Sequence, residues 1–243
     1  SLPASLKLYV EESVSLSGLN SFERQADGYI ISELPKEAVE SAEILDGRRF
    51  RVLTWPLSIT PIQTGQQKLR FDFTVNIRTK QRGDPFGRRN PFGSSIFDDF
   101  FDKSERLEIS TSPLSIEVIA PPETGQPGSF FGAIGDFSLQ VYSDLRSTNV
   151  GEPIMLSVEI MGSGNFDRIQ GLPMPDMPEW RSYEPESSFL AKDTLSLEGT
   201  KRFDYVFIPK QSGPLELSEI AFSFLNPQTG DYVELIGPRQ KVT

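Results

Sequence analysis

Apolar residues recur at every second position along most of the chain, and the 3.6-residue spacing of an amphipathic helix is hard to find. The runs Leu6-Leu8-Val10, Leu69-Phe71-Phe73-Val75-Ile77, Phe137-Leu139-Val141, Ile154-Leu156-Val158-Ile160, Phe203-Tyr205-Phe207 and Leu215-Leu217 each place apolar side chains on one face. A half-buried antiparallel strand requires that alternation. One segment carries helix signals instead. In Pro35–Ala42 (PKEAVESA) a proline sits near the start and a glutamate follows in the first turn, so a short helix is expected there.

Between the strand runs stand glycines and prolines, 38 of 243 residues, about 16% against a usual ~12%. The densest such stretch is Ile119–Gly132 (IAPPETGQPGSFFG), which suits a boundary between two strand-rich blocks. A cut near residue 126 gives domains 1–126 and 127–243, each of the size of one sandwich. An internal repeat supports the cut: Pro61-Ile62-Gln63-Thr64-Gly65 and Pro209-Lys210-Gln211-Ser212-Gly213 share Pro-x-Gln-(Ser/Thr)-Gly, and Phe-x-Phe follows each, at Phe71/Phe73 and Phe222/Phe224. In physical terms a strand ends at a proline, a glycine free to take positive φ closes a turn, and a return strand points its Phe pair at the core. The expected fold is all-β, two tandem Ig-like antiparallel β-sandwich domains.

Composition then limits the chemistry. The chain has no Cys and no His, which removes disulfides, thiolate nucleophiles, His bases, zinc fingers and His-ligated metals together. No Ser precedes a Lys by three residues, so a Ser-x-x-Lys nucleophile is missing too. Gly162-Ser163-Gly164 completes neither a phosphate loop nor a nucleophile elbow, and is expected to be a flexible turn leaving the Ile154–Ile160 strand. Carboxylates remain: Glu184, Glu186 and Asp193 near Trp180 and Tyr183 are the set a glycosidase would use. With 34 acidic residues such proximity arises by accident. The expectation is therefore no enzyme, no cofactor and no metal, with an exposed Trp180/Tyr183 pair on a carbohydrate-binding or adhesin-type module as the alternative. A formal charge of −10 repels phosphate backbones, so nucleic acid is not an expected partner.

The most unusual stretch is Asp84–Glu105 (DPFGRRNPFGSSIFDDFFDKSE), with five Phe residues among charges. A connection this long is commonly functional or disordered. Phe86, Phe92, Phe97, Asp98, Asp99, Phe100 and Phe101 form a candidate partner-docking loop, the rings entering pockets and the charges setting orientation. The competing reading folds those rings back onto the loop's own sandwich. Asp98, Asp99, Asp102 and Glu105 lack the spacing of a calcium loop, and a solvated acidic loop is expected.

Several segments resemble one family. Phe131-Gly132-Ala133-Ile134-Gly135-Asp136-Phe137-Ser138, Val150-Gly151-Glu152-Pro153, Gly162-Ser163-Gly164-Asn165 and Phe203-Asp204-Tyr205-Val206-Phe207-Ile208-Pro209, with Asp46-Gly47-Arg48-Arg49-Phe50-Arg51-Val52 and the Asp84–Phe101 segment earlier, are similar in order and spacing to the BatD oxygen-tolerance (aerotolerance) family. The resemblance implies Ig-like repeats on the periplasmic face of a bacterial inner membrane, in a protein with a signal peptide and a membrane helix. It also implies work in a membrane assembly with von Willebrand A-domain proteins and a MoxR-type ATPase, and it supplies no catalytic residues. The start SLPASLKLYVEES lacks a basic region followed by an apolar run, and no stretch approaches the ~18 apolar residues of a membrane helix. The chain is accordingly expected to be a soluble internal piece of a membrane-anchored envelope protein.

Overall fold

The computed structural model describes residues 1–11, 14–79, 104–143 and 147–242. Among them the chain forms strands, turns and a single 3-10 turn at Phe166–Arg168, with no α-helix. Two compact units divide it, Leu2–Ile119 and Ala120–Thr243.

The first unit runs through β1 (Leu2–Glu11), β2 (Val14–Gln25), β3 (Tyr29–Ile31), β4 (Val39–Leu45), β5 (Arg48–Pro61), β6 (Gly65–Thr79), β7 (Ser104–Ser110) and β8 (Leu114–Val118). In one four-stranded antiparallel sheet β5 is central, with β1 on one edge and β3 and β4 on the other. In the second sheet β6 is central, flanked by β2 and by β7 and β8. Period two explains the sandwich-like layering: Trp55, Leu57 and Ile59 of β5 and Leu69, Phe71, Phe73 and Val75 of β6 are buried in one cluster.

The expected helix at Pro35–Ala42 does not form. Val39–Leu45 is strand β4, paired from Val39 opposite Thr54 to Leu45 opposite Arg48. Between β4 and β5 lie Asp46 (φ 50°) and Gly47 (φ 75°), two successive left-handed residues. An Asp-Gly turn of that kind matches the twist of a two-residue hairpin, and the paired strand prevails over a helix signal only about two turns long.

The second unit continues through β9 (Phe130–Ser143), β10 (Ile154–Gly164), β11 (Trp180–Ser182), β12 (Glu186–Ala191), β13 (Glu198–Pro209), β14 (Leu215–Leu217), β15 (Ile220–Leu225), β16 (Tyr232–Gly237) and β17 (Gln240–Val242). Its main sheet is ordered β11, β13, β10, β9, β15, β16, with β12 also along β13, while β14 and β17 pair separately. β9 joins two directions: its start lies parallel to β15 and the rest antiparallel to β10. Phe137 at its middle meets the rings of Phe166, Phe222 and Phe224 edge-on at 5.2, 5.8 and 5.4 Å, the geometry that aromatic quadrupoles favour. The Pro- and Gly-rich stretch belongs to this unit, because the Tyr232 hydroxyl donates to the Pro122 carbonyl (2.6 Å) and the Ser129 hydroxyl to the Glu234 carboxylate (2.6 Å).

Gly162-Ser163-Gly164 is not a turn. It closes β10 as regular strand, with Gly162 opposite both Phe137 and Gly199. A Cβ on Gly162 would lie 2.1 Å from the Asp136 carbonyl oxygen, and one on Gly164 2.4 Å from that of Ile134. Glycine is needed for the close crossing of β9, not for flexibility. Asn165 then clamps the crossing: its side chain accepts the Ile134 N–H (2.6 Å) and donates to the Gly132 carbonyl (3.0 Å).

Register carries the pentapeptide repeat further. β13 is flanked by β10 on one side and by β11 and β12 on the other, as β5 is by β1 and by β3 and β4. Tyr29 stands opposite Pro61 and Trp180 opposite Pro209. Each proline lacks an N–H, and the next residue supplies the bond: Ile62 donates to the Gly28 carbonyl (2.8 Å) and Lys210 to that of Glu179 (2.9 Å). The repeat glycines, Gly65 (φ 92°) and Gly213 (φ 113°), both take the left-handed conformation. In neither copy does the return strand pair with the one it leaves, so the motif links strands that are not neighbours.

One difference between the copies is chemical. The Trp180 indole N–H donates to the Glu216 carbonyl (3.2 Å), whereas the buried Tyr29 hydroxyl has no hydrogen-bond partner among the described residues. A buried orphan hydroxyl costs about 1–3 kcal/mol of desolvation. Tyr29→Phe is thus expected to raise first-unit stability by roughly 1 kcal/mol in urea denaturation, and a clear fall would show that the hydroxyl has a stabilising contact.

Candidate functional site

The exposed edge of β4 is the candidate docking surface. β4 pairs with β5 alone among the described strands, so one row of its backbone N–H and C=O groups faces outward. Val39 is 63% exposed, Ile44 72% and Leu45 44%. Natural edges are usually blunted by lysine, proline or a bulge. The sequence VESAEIL has no lysine or proline, and its register on β5 is unbroken. In the second unit β12 repeats the arrangement: it pairs with β13 alone, without a register break, and Leu190 is 73% exposed.

Next to β4 an open cleft of about 480 Å³ is lined by Ser41 and Ala42 of that strand, Arg49, Phe50 and Arg51 of β5, Glu11 of β1 and Val14, Ser15 and Leu16 of β2. The exposed Arg48–Glu11 ion pair (3.4 Å) offsets the carboxylate at its wall. The half-buried Arg51 side chain makes no hydrogen bond or ion pair among the described residues. A planar guanidinium in this mixed polar and apolar cleft is suited to receive a carboxylate in bidentate fashion. On β1, Lys7 and Tyr9 both donate to Glu43 (3.0 Å each). Those bonds, Lys7 first, hold the Glu43 carboxyl below its ordinary range and raise Lys7. The set is satisfied within the fold.

A second polar cluster lies between β10 and β13. Arg202 donates to Asp204 (3.0 Å to each oxygen), to the Ser157 hydroxyl (2.9 Å) and to Glu159 (3.4 Å), and Ser157 in turn donates to Asp204. Every member has a partner, so the cluster ties two strands together and leaves no reactive group. Arg202 holds Asp204 below the usual carboxylate range, with Ser157 helping, against the upward push of partial burial. A depressed carboxylate stabilises the fold above its unfolded value, about 3.9, and loses that contribution as pH falls through the folded value. In acid denaturation followed by circular dichroism, Asp204→Asn should flatten the loss of second-unit stability below about pH 4; an unchanged slope would refute the link.

The sequence-derived candidates fall as follows. Phe86, Phe92, Phe97, Asp98, Asp99, Phe100 and Phe101 lie outside the described residues, as does Asp102, while Ser104 and Glu105 belong to strand β7. Trp180 is buried against Phe207, and Tyr183 is 48% exposed beneath Arg181, so the pair presents no joint aromatic platform. Asp193 accepts the backbone N–H groups of Leu197 and Glu198 (2.8 and 2.9 Å) and shapes its own turn. Among the described residues no three Asp, Glu, His or Cys side chains gather as metal ligands. The β4 edge and Arg51 went unnoticed in the sequence, although Asp46-Gly47 marked the hairpin that creates them.

Compared with family models, with curated proteins and with solved structures, the chain matches none.

Proposed function

We propose that this chain is a non-catalytic docking module, two tandem Ig-like sandwiches that take extended segments of another protein along exposed sheet edges. The observation that carries the reading is the β4 edge, which pairs on one side only, without a lysine, proline or bulge, and exposes Val39, Ile44 and Leu45, with its counterpart β12 in the second unit. Strand addition uses backbone hydrogen bonds for affinity and alternate side chains for selection. On β4 the incoming side chains meet Val39, Ile44 and Leu45, and an acidic residue reaches Arg51. Nothing in the Arg202 cluster or the Asp193 turn has a free nucleophile or base.

The motif order that resembles the BatD family places the module, in this reading, on the periplasmic face of a bacterial inner membrane, in a membrane-anchored protein linked to oxygen tolerance. Its partners there are von Willebrand A-domain proteins. The Asp84–Glu105 segment is a further docking element in the same account. Copurification of the full-length protein from detergent-solubilised membranes, with mass spectrometry, identifies the partner. Val39→Lys combined with Ile44→Lys then weakens that complex roughly tenfold, about 1.4 kcal/mol, while the melting temperature holds, because both side chains are exposed. Unchanged binding would refute the β4 edge.

A further inference from the structure

The outer edge of β1 is a second place for a strand, and the chain itself shows what covers such an edge. β1 pairs with β5 alone among the described strands. Its counterpart in the second unit is β10: with Pro61 matched to Pro209, Leu6 opposite Trp55 corresponds to Val158 opposite Phe203, and Leu8 corresponds to Ile160. β10 is not left open. β9 runs antiparallel along it, with Val141 opposite Val158 and Leu139 opposite Ile160, and both side chains pack against the second core.

Among the described residues no strand of the first unit takes the place of β9 beside β1. A slot of about 120 Å³ opens between β1 and β7, lined by Leu6, Leu8, Phe73 and Ile109 and bounded by Lys7, Ser110 and Thr111. It approaches the ~150 Å³ of an apolar cavity known to hold a benzene ring, so one large apolar side chain suits it. We infer that the first unit binds an extended segment of a partner, antiparallel along β1, with apolar side chains at alternate positions opposite Leu6 and Leu8. The occupant is a strand with the chemistry of β9, apolar inward and polar outward. This deepens the docking reading but uses an edge distinct from β4 and β12.

The test uses the full chain and a synthetic peptide with the sequence of Asp136–Ser143 (DFSLQVYS), the half of β9 that lies on β10. Backbone amide exchange is followed residue by residue as peptide is added. Slowing on β1, absent with a peptide carrying Leu139→Ser and Val141→Ser, is the expected result. Slowing on β4 or β12 alone would overturn the β1 site while supporting the docking reading. No slowing on any edge would overturn the β1 site as well, and the β4 variants above test the docking reading separately.

Discussion

Gly162→Ala is expected to destabilise the second unit by about 4 kcal/mol or more, a loss reserved for gross steric conflict. The added Cβ would sit 2.1 Å from the Asp136 carbonyl oxygen and 2.9 Å from the Phe137 Cα. Both are backbone atoms. β9 cannot retreat from them, because it is paired to β10 over nine positions and pinned at Gly132 and Ile134 by Asn165. Gly162 also has φ 150°, a conformation that side chains rarely adopt. Gly128→Ala is the matching control, since nothing lies within 4 Å of its added Cβ, and its effect should stay within about 0.5 kcal/mol. Urea denaturation of both variants decides the matter. Equal stability of the two would mean that β9 does not cross β10 this closely.

Phe203→Ala should cost about 3–5 kcal/mol, the usual range for removing a buried ring. Phe203 is fully buried, opposite Val158 on β10 and beside Tyr205. Its counterpart is Trp55, and the two residues belong to core clusters with no member in common. Separate cores allow separate transitions. In denaturation followed by near-ultraviolet circular dichroism and residue-resolved exchange, Phe203→Ala should lower protection within Ala120–Thr243 and leave β5 and β6 unchanged. Trp55→Ala should do the reverse. A common loss across both units would mean one cooperative core.

Much of the fold was legible in the sequence because strands announce themselves by local alternation. β6, β10 and β13 follow directly from Leu69–Ile77, Ile154–Ile160 and Phe203–Phe207. What was misread depended on distant neighbours. Pro35–Ala42 offered helix signals, yet Asp46-Gly47 a few residues on folds that stretch back along β5. Gly162-Ser163-Gly164 read as a turn because the reason for its glycines is Asp136, on another strand. The β4 edge was invisible for a related reason: alternation says which face of a strand is buried, but not whether a neighbour lies alongside it. Residues 84–103 of the aromatic segment singled out in the sequence lie outside the described residues, so the structural support for the docking proposal comes from β4, β12 and Arg51.

The most direct test of the docking account is photo-crosslinking in the cells that make the full-length protein, with a photoreactive residue placed in turn at Ile44, Leu190 and Glu234. Positions 44 and 190 lie on the edges proposed for docking, whereas Glu234 lies on β16, an edge strand outside the proposal, where its carboxylate accepts the Ser129 hydroxyl. The account predicts discrete protein adducts from Ile44 and Leu190, lost when Val39→Lys is added beside Ile44, and none from Glu234. Adducts independent of position, or none from either edge, would contradict it.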